Sequence, residues 1–343
     1  MPTMALARLV ELASSVVGRG ELASLGGGAV VVDLPEVDAT EAAPMLDGDA
    51  RAAVDDLPVV VVGVAPGAGT PAAPTSRAAP ASPAAGLADV VVDDAAAAAR
   101  VVAAVDGHPL AATALALLLR GADRRSVAAG LVAESATYSV LQAGPEHDAW
   151  LVRRGPPRRA RDDRPRLRLR RDGDVLGVTL DRPAVRNAYD AAMRDELLDA
   201  LAVAEADPGV RVVVDGAGPG FCSGGDLDEF GTRPDPATAH LIRLGRSVGH
   251  ALHGVADRVT VRVHGASVGS GVELAAFAGR VEARADATFA LPEVAMGLVP
   301  GAGGTVSLPA RIGRHRTAWL ALTGETIDAR TAHDWGLVDE ILP

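Results

Sequence analysis

The chain has 343 residues, enough for two domains of ordinary size, and is 48% hydrophobic but only 3% aromatic, so its cores must be built from Ala, Val and Leu. A formal net charge of −11 excludes a general nucleic-acid binder, which needs a basic face, and the single cysteine, Cys222, excludes a disulfide framework or a thiolate metal cluster. No apolar run reaches the ~18 residues that would span a bilayer. Residues 1–17 are mildly apolar without a charged leader or a clear cleavage site, so a soluble cytoplasmic protein with no membrane or nucleic-acid partner is expected. All 33 basic residues are Arg, a bias that we ascribe to GC-rich codon usage rather than to function.

In chain order, Leu6, Leu9, Val10 and Leu12 form a helical stripe. Ala29–Leu34, Pro58–Val64 and Asp89–Val92 are continuous Val-rich runs, the pattern of parallel strands covered on both faces. Residues 66–86, rich in Pro, Ala, Gly, Ser and Thr, read as a flexible loop. Two helices are expected over Leu110–Arg120 and Ser126–Gln142, separated by Gly121 and Asp123. Residues 153–171 hold ten Arg, with Pro at 156, 157 and 165; this reads as a solvated linker, the alternative being an arm for an anionic cofactor. Leu167–Arg170 and Val175–Leu180 flank Asp172-Gly173-Asp174 as a hairpin. A helix over 191–205, a strand at Val210–Val214, a glycine-rich loop at 216–225 and a helix over 237–252 follow. The strand Val259–Val263, a turn at 265–271 and a helix beginning near Val272 then complete an α/β architecture.

Two carboxylates stand out. Glu273 closes the glycine-rich run from His264, and Glu293 sits in a turn-rich segment from Phe289 to Thr305. Facing one cavity, they would form a pair able to take and give protons around a bound water. The blander alternatives are an exposed helix carboxylate for Glu273 and a capping acid for Glu293. No metal site is expected, because the eight His show no ligand spacing; His250 and His253 read as a half-exposed helix face. His264 reads as structural, and Cys222 as unreactive for want of a base nearby in sequence. Trp319 and Trp335 read as core, Asp228 and Glu229 as solvated, and Gly301, Gly303 and Gly304 as a tight turn fixing the Glu293 loop.

Five segments in register make residues 168–343 resemble the crotonase superfamily of enoyl-CoA hydratases and isomerases. They are Asp181-Arg182-Pro183 with Arg186-Asn187-Ala188, Phe221 through Leu227, His264 through Glu273, Pro292-Glu293 through Thr305, and Leu322 through Val338. The resemblance implies a ββα spiral core and a reversible syn addition of water to a 2-enoyl-CoA thioester. It implies Glu273 as the group activating water and Glu293 as the proton donor to the α-carbon. The backbone N–H groups of Gly225 and Ser270 would be the oxyanion hole, although Ser270 replaces a usual glycine. Arg186, Asn187, Ala188, Ser223, Gly224, Asp226 and Leu227 would line the coenzyme A site, with Asp226 also capping local N–H groups. Coenzyme A would enter as part of the acyl-CoA substrate, with no separate cofactor, and the protein would be a homo-oligomer, a trimer or hexamer. The competing readings are an isomerase, an acyl-CoA hydrolase, or a catalytically silent acyl-CoA-binding partner subunit.

The resemblance also implies terminal helices beyond Pro343. Residues 108–152 look like that missing helical segment. The expected organisation is therefore a degenerate crotonase-like α/β unit over 1–152, an Arg/Pro-rich linker over 153–166 and the catalytic core over 167–343. The first unit would supply the helical cover that the second lacks.

Overall fold

The computed structural model describes residues 3–24, 28–34, 48–65, 83–157, 163–232 and 235–343. The Val-rich runs form a parallel sheet in the order β1 (Met4–Ala5), β2 (Ala29–Asp33), β3 (Val60–Val64) and β4 (Val90–Val92). Alternate residues face opposite sides, and both sides are dry, which is why these strands read as unbroken apolar runs. Val30, Val32 and Val61 face one core with α1 (Leu6–Ala13), α2 (Val16–Ala23) and α3 (Gly48–Asp55). Val31, Val60, Val62 and Val90 face a second core with α4 (Ala95–Gly107) and α5 (Pro109–Arg120). Of the loop expected over 66–86, residues 66–82 lie outside the described residues. Its end does not read as loop: Pro83–Leu87 is a 3₁₀ turn with Ala84 and Ala85 buried.

Arg120, at the end of α5, ties the first unit together. Its Nε and Nη2 bond Asp89 at 2.8 and 2.7 Å, and its remaining N–H groups reach the carbonyls of Val54, Asp55, Leu57 and Val59. The guanidinium thus satisfies carbonyls left open at the end of α3 while its charge is met by a carboxylate that is equally buried.

Two further helices lead out of this unit: α6 (Val127–Gln142), capped by Ser126, and α7 (Pro145–Arg154). The expected solvated linker is corrected at both ends. Arg153 and Arg154 belong to α7, and Arg166 is buried against Asp190 at 2.8 Å. Residues 158–162 lie outside the described residues.

The second half begins with the expected hairpin, β5 (Leu167–Asp172) and β6 (Val175–Leu180), turning at Gly173-Asp174. With β7 (Arg211–Gly216), β8 (Val259–Val263), β10 (Arg280–Arg284) and β13 (Glu340–Leu342) it forms a six-stranded sheet, parallel apart from that hairpin. Short strands β9 (Ala266–Val268), β11 (Thr288–Ala290) and β12 (Ile327–Asp328) form a second sheet. Two turns of the chain give a strand to each sheet and then a helix: β8, β9 and α11 (Ser270–Ala275), and β10, β11 and the helix from Gly304.

Two sequence expectations shift here. The helix expected over 237–252 is broken into α9 (Pro236–Gly245) and α10 (Val248–Gly254), because Ser247 caps the second by accepting from the His250 N–H. Helix α11 starts at Ser270 rather than near Val272, since the preceding turn is itself the strand β9. The other helices are α8 (Ala191–Ala206), α12 (Gly304–Ile312), α13 (Arg314–Thr323) and α14 (Ala329–Trp335). Trp319 and Trp335 are core, as read, meeting edge to face at 5.9 Å.

The two halves are not separately cored. Helix α13 packs against α4, α5 and β4, and residues of both halves share one apolar cluster. Among the described residues no single helix is long and apolar enough to cross a membrane. Replacing Arg120 by Met should strand the buried Asp89 charge and cost about 3–5 kcal/mol, read as a lowered urea midpoint. An unshifted transition would show that the clamp does not hold the first unit together.

Candidate active site

A cavity of about 230 Å³ opens where α6, α9, α11 and the loops around 225, 293 and 302 meet. Both predicted acids line it, and so do Gly225 and Ser270. Glu273, in the first turn of α11, is 2% exposed, which rules out the exposed-helix alternative. Its Oε2 accepts from the N–H groups of Ala302 at 2.7 Å and Gly304 at 2.9 Å. Glu293 begins a single 3₁₀ turn, Glu293–Met296. Its Oε2 is buried and has no hydrogen-bond partner among the described residues. At Gly269 φ is +50° and a β-carbon would overlap Glu293 Oε1, so glycine suits that position.

A third carboxylate was not anticipated. Glu134 reaches in from α6, in the first half of the chain, and is also 2% exposed. Its Oε1 accepts from Gly303 N–H at 2.7 Å, and its Oε2 from Thr305 N–H at 2.9 Å and from the Thr305 hydroxyl at 2.7 Å. The turn of Gly301, Gly303 and Gly304 therefore holds Glu273 and Glu134, where the sequence reading assigned it to Glu293. The Glu293 turn is held instead by α7: fully buried His147 lies 3.0 Å through Nδ1 from the Met296 carbonyl and stacks on Trp150.

Burial pushes all three carboxyls above the ordinary glutamate range, since a charge in this site is poorly solvated. For Glu134 and Glu293 the neighbouring Glu273 charge adds to the rise. For Glu134 and Glu273 the amides of the 301–305 segment pull back against it. Groups poised in this way can exchange protons near neutrality.

Gly225 and Ser270 border the cavity, and neither N–H is donated to a protein acceptor among the described residues. Of the proposed coenzyme A contacts, only Asp226 also lines the cavity. The Asn187 side chain has a structural role: it is 0% exposed, donates to the carbonyls of Ala217, Gly220 and Phe221, and accepts from Arg182 N–H. It is used as an internal strut because residues 186 and 187 both carry positive φ, a bend whose inner polar groups need partners. Ala188 is buried, and the Ser223 hydroxyl is bonded to the Val185 carbonyl. Arg186 bends the loop, and its carbonyl accepts from Ser223 N–H.

Asp226 does cap, accepting from Asp228 N–H, and also pairs with Arg182 at 3.0 Å. Gly224, at φ +89°, and exposed Leu227 continue this loop, and the Leu227 carbonyl accepts from Arg154 of α7. Glu229 is not merely solvated: it accepts from Ala191 N–H at 2.9 Å and borders the cavity. His264 is structural, as read, with Nε2 2.9 Å from the Gly218 carbonyl. Cys222 is buried, and burial pushes its thiol up to about 11. Among the described residues no cluster of three or more His, Cys, Asp or Glu side chains is arranged to hold a metal.

The family model for enoyl-CoA hydratase/isomerase matches residues 170–343. The 2,3-dehydroadipyl-CoA hydratase of Escherichia coli is 35% identical over 52% of this chain and 69% of its own length. The 1,2-epoxyphenylacetyl-CoA isomerase of the same organism is 34% identical over 49% of this chain and 66% of its own. A solved enoyl-CoA hydratase from Thermoplasma volcanium GSS1 is 33% identical over 52% of this chain and 72% of its own, at a TM-score of 0.49. The matched region contains Glu273 and Glu293 but not Glu134.

The raised carboxyls link stability to pH. The folded protein keeps protons that the unfolded chain releases above about pH 4.3. Stability is therefore greatest below that pH as far as these groups are concerned, and falls as pH rises toward their raised values. Glu134→Gln should flatten this fall. It should also cost about 1–3 kcal/mol at pH 5, because an amide NH₂ would face N–H donors. Melting the ligand-free protein and the variant between pH 5 and 8 tests both; an unchanged slope would show that Glu134 is not a titrating member of the site.

Proposed function

Because the chain belongs to the enoyl-CoA hydratase/isomerase family, with a crotonase-like α/β fold in its C-terminal half, we propose that it adds water reversibly to a 2-enoyl-CoA thioester. The observation that carries this reading is the pairing of Glu273 with Glu293 on one cavity, the second with a buried oxygen lacking a partner. A group of that kind is suited to giving and taking a proton. The first carboxyl is anchored through Oε2 by Ala302 and Gly304, so its geometry is fixed while Oε1 is turned to the attacking water.

In the hydration direction, Glu273 takes a proton from water as its oxygen bonds the β-carbon. The double-bond electrons pass toward the thioester, and negative charge grows on its carbonyl oxygen. The N–H groups of Gly225 and Ser270 receive that charge; each such donor is typically worth ~3 kcal/mol in the transition state. Glu293 delivers its proton to the α-carbon. Both transfers come from one side of the bound chain, which makes the addition syn, and the reverse path is dehydration. This needs Glu273 ionised and Glu293 protonated. Two backbone amides hold Glu273 and favour its charged form, whereas Glu293 Oε2 has no partner among the described residues, and this supports that division.

The first half of the chain has a place in the proposal. Its parallel strands followed by helices fit a degenerate crotonase-like unit, and its helix α6 contributes Leu131, Glu134 and Tyr138 to the cavity wall. We assign to α6 and α7 the task of covering the acyl site and bracing both acid-bearing segments.

Glu273→Gln and Glu293→Gln should each lower kcat for crotonyl-CoA hydration by ~10²–10⁴, followed by loss of the conjugated thioester's ultraviolet absorbance, with binding of a saturated acyl-CoA retained. The wild-type kcat/KM should be bell-shaped in pH, with an acid limb as Glu273 gains a proton and a basic limb as Glu293 loses one. Turnover of a 3-enoyl-CoA that depends on Glu293 alone would favour the isomerase instead. Binding without any turnover would favour a silent acyl-CoA-binding subunit.

A further inference from the structure

Arg243, on α9, lines the same cavity as the glutamates but is used by none of the steps above. Its guanidinium is held on two sides. Nε donates to the Ser135 hydroxyl at 3.1 Å, while Nη2 donates to the Ser135 carbonyl at 3.3 Å and to the Ser139 hydroxyl. Its plane lies over the ring of Tyr138, 4.5 Å from the centroid. The Ser135 hydroxyl is itself fixed by His240 Nδ1 at 2.8 Å. Among the described residues Nη1 has no hydrogen-bond partner and no carboxylate lies within ion-pair distance of the guanidinium.

The other two arginines of the wall differ. Arg194 and Arg246 both pair with Asp195 at 2.7 Å. A half-buried cation without a counter-ion in contact is costly. Glu134 helps to hold the Arg243 charge from a distance, but no glutamate of the cavity is in contact with it. A strut between α6 and α9 would need hydrogen bonds but no charge. Every group that orients Arg243 is neutral, and the one edge left open is the edge that could bind an anion.

We propose that Arg243 recognises a carboxylate at the far end of the acyl chain, so that the preferred substrates are ω-carboxy-2-enoyl-CoA thioesters. The inference rests on the hydratase reading for the placement of the thioester at Gly225 and Ser270. From there the chain runs past Tyr138, which lines the same cavity and carries the Arg243 guanidinium over its ring. The terminal carboxylate then takes the open Nη1 edge in a charge-assisted hydrogen bond. The phosphates of coenzyme A are a second source of anion, but of the proposed coenzyme A contacts only Asp226 reaches this cavity.

The test uses saturated thioesters, so that binding is read without turnover. Hexanoyl-CoA, its ω-carboxy analogue adipoyl-CoA and free coenzyme A are titrated calorimetrically into the wild-type protein and into Arg243→Gln. The wild type should bind adipoyl-CoA at least on the order of tenfold tighter than hexanoyl-CoA, and the variant should lose that preference. Hexanoyl-CoA and coenzyme A should bind both proteins alike, which also reports that the variant is folded. Equal wild-type affinities for the two acyl-CoAs would overturn the proposal. So would a weakening of free coenzyme A by Arg243→Gln, which would assign the guanidinium to phosphate. Hydration of crotonyl-CoA by the same wild-type sample is scored separately. Its absence, with the adipoyl preference intact, would count against the hydratase reading and leave the carboxylate site standing.

Discussion

Four successive peptide N–H groups organise this molecule. Those of Ala302 and Gly304 go to Glu273, and those of Gly303 and Thr305 go to Glu134, at the start of α12. These are the donors that a helix leaves unsatisfied at its N-terminus, where partial positive charge also favours an acid. Two carboxyls from different halves of the chain are thereby brought side by side in a buried place where each destabilises the other's charge. The arrangement demands glycine. Gly303 adopts φ +107°, and a β-carbon on Gly304 would fall 2.7 Å from Glu273 Cγ. The position of Glu273, its proton affinity and the docking of α6 follow from one short run of backbone.

Much of this was legible in the sequence because glycine marks the places where backbone must come close to something. Glu273 and Glu293 were found by their glycine-rich surroundings, and the parallel first sheet by its unbroken valines. Glu134 carried no such mark. It lies on an ordinary helix, 169 residues before its partner Gly303, and nothing local distinguishes it from a surface acid. The available signal was periodicity: Gly130, Leu131, Glu134 and Ser135 fall on one helical face, and that face is the buried one.

Asn187 shows a role that its motif does not announce. The resemblance places the backbone of its segment against coenzyme A, while the side chain is spent on three carbonyls of the 217–221 loop. The break between α9 and α10 was missed because a capping serine looks unremarkable within an apolar pattern. In each case a tertiary partner, absent from the local sequence, decided the outcome.

The two halves divide the work unevenly. The six-stranded sheet and its companion carry the loops that hold Gly225, Ser270, Glu273 and Glu293. The first half lends α6 and α7, one to the cavity wall and one to the underside of the Glu293 turn through His147. Charge is handled differently in each. Arg120 and Asp89 neutralise one another inside the first half, whereas the cavity gathers three acids and leaves them to be quieted by desolvation and backbone dipoles.

The shared core has a consequence for how the polypeptide is made. Helices α4 and α5 leave the ribosome long before α13, the helix that packs on them, has been translated. Until then a leucine- and valine-rich surface waits in water, and the donors that Glu134 is destined to meet do not yet exist. Assembly of the cavity thus waits for the second half to be made, and the nascent protein passes through a stage in which it is sticky.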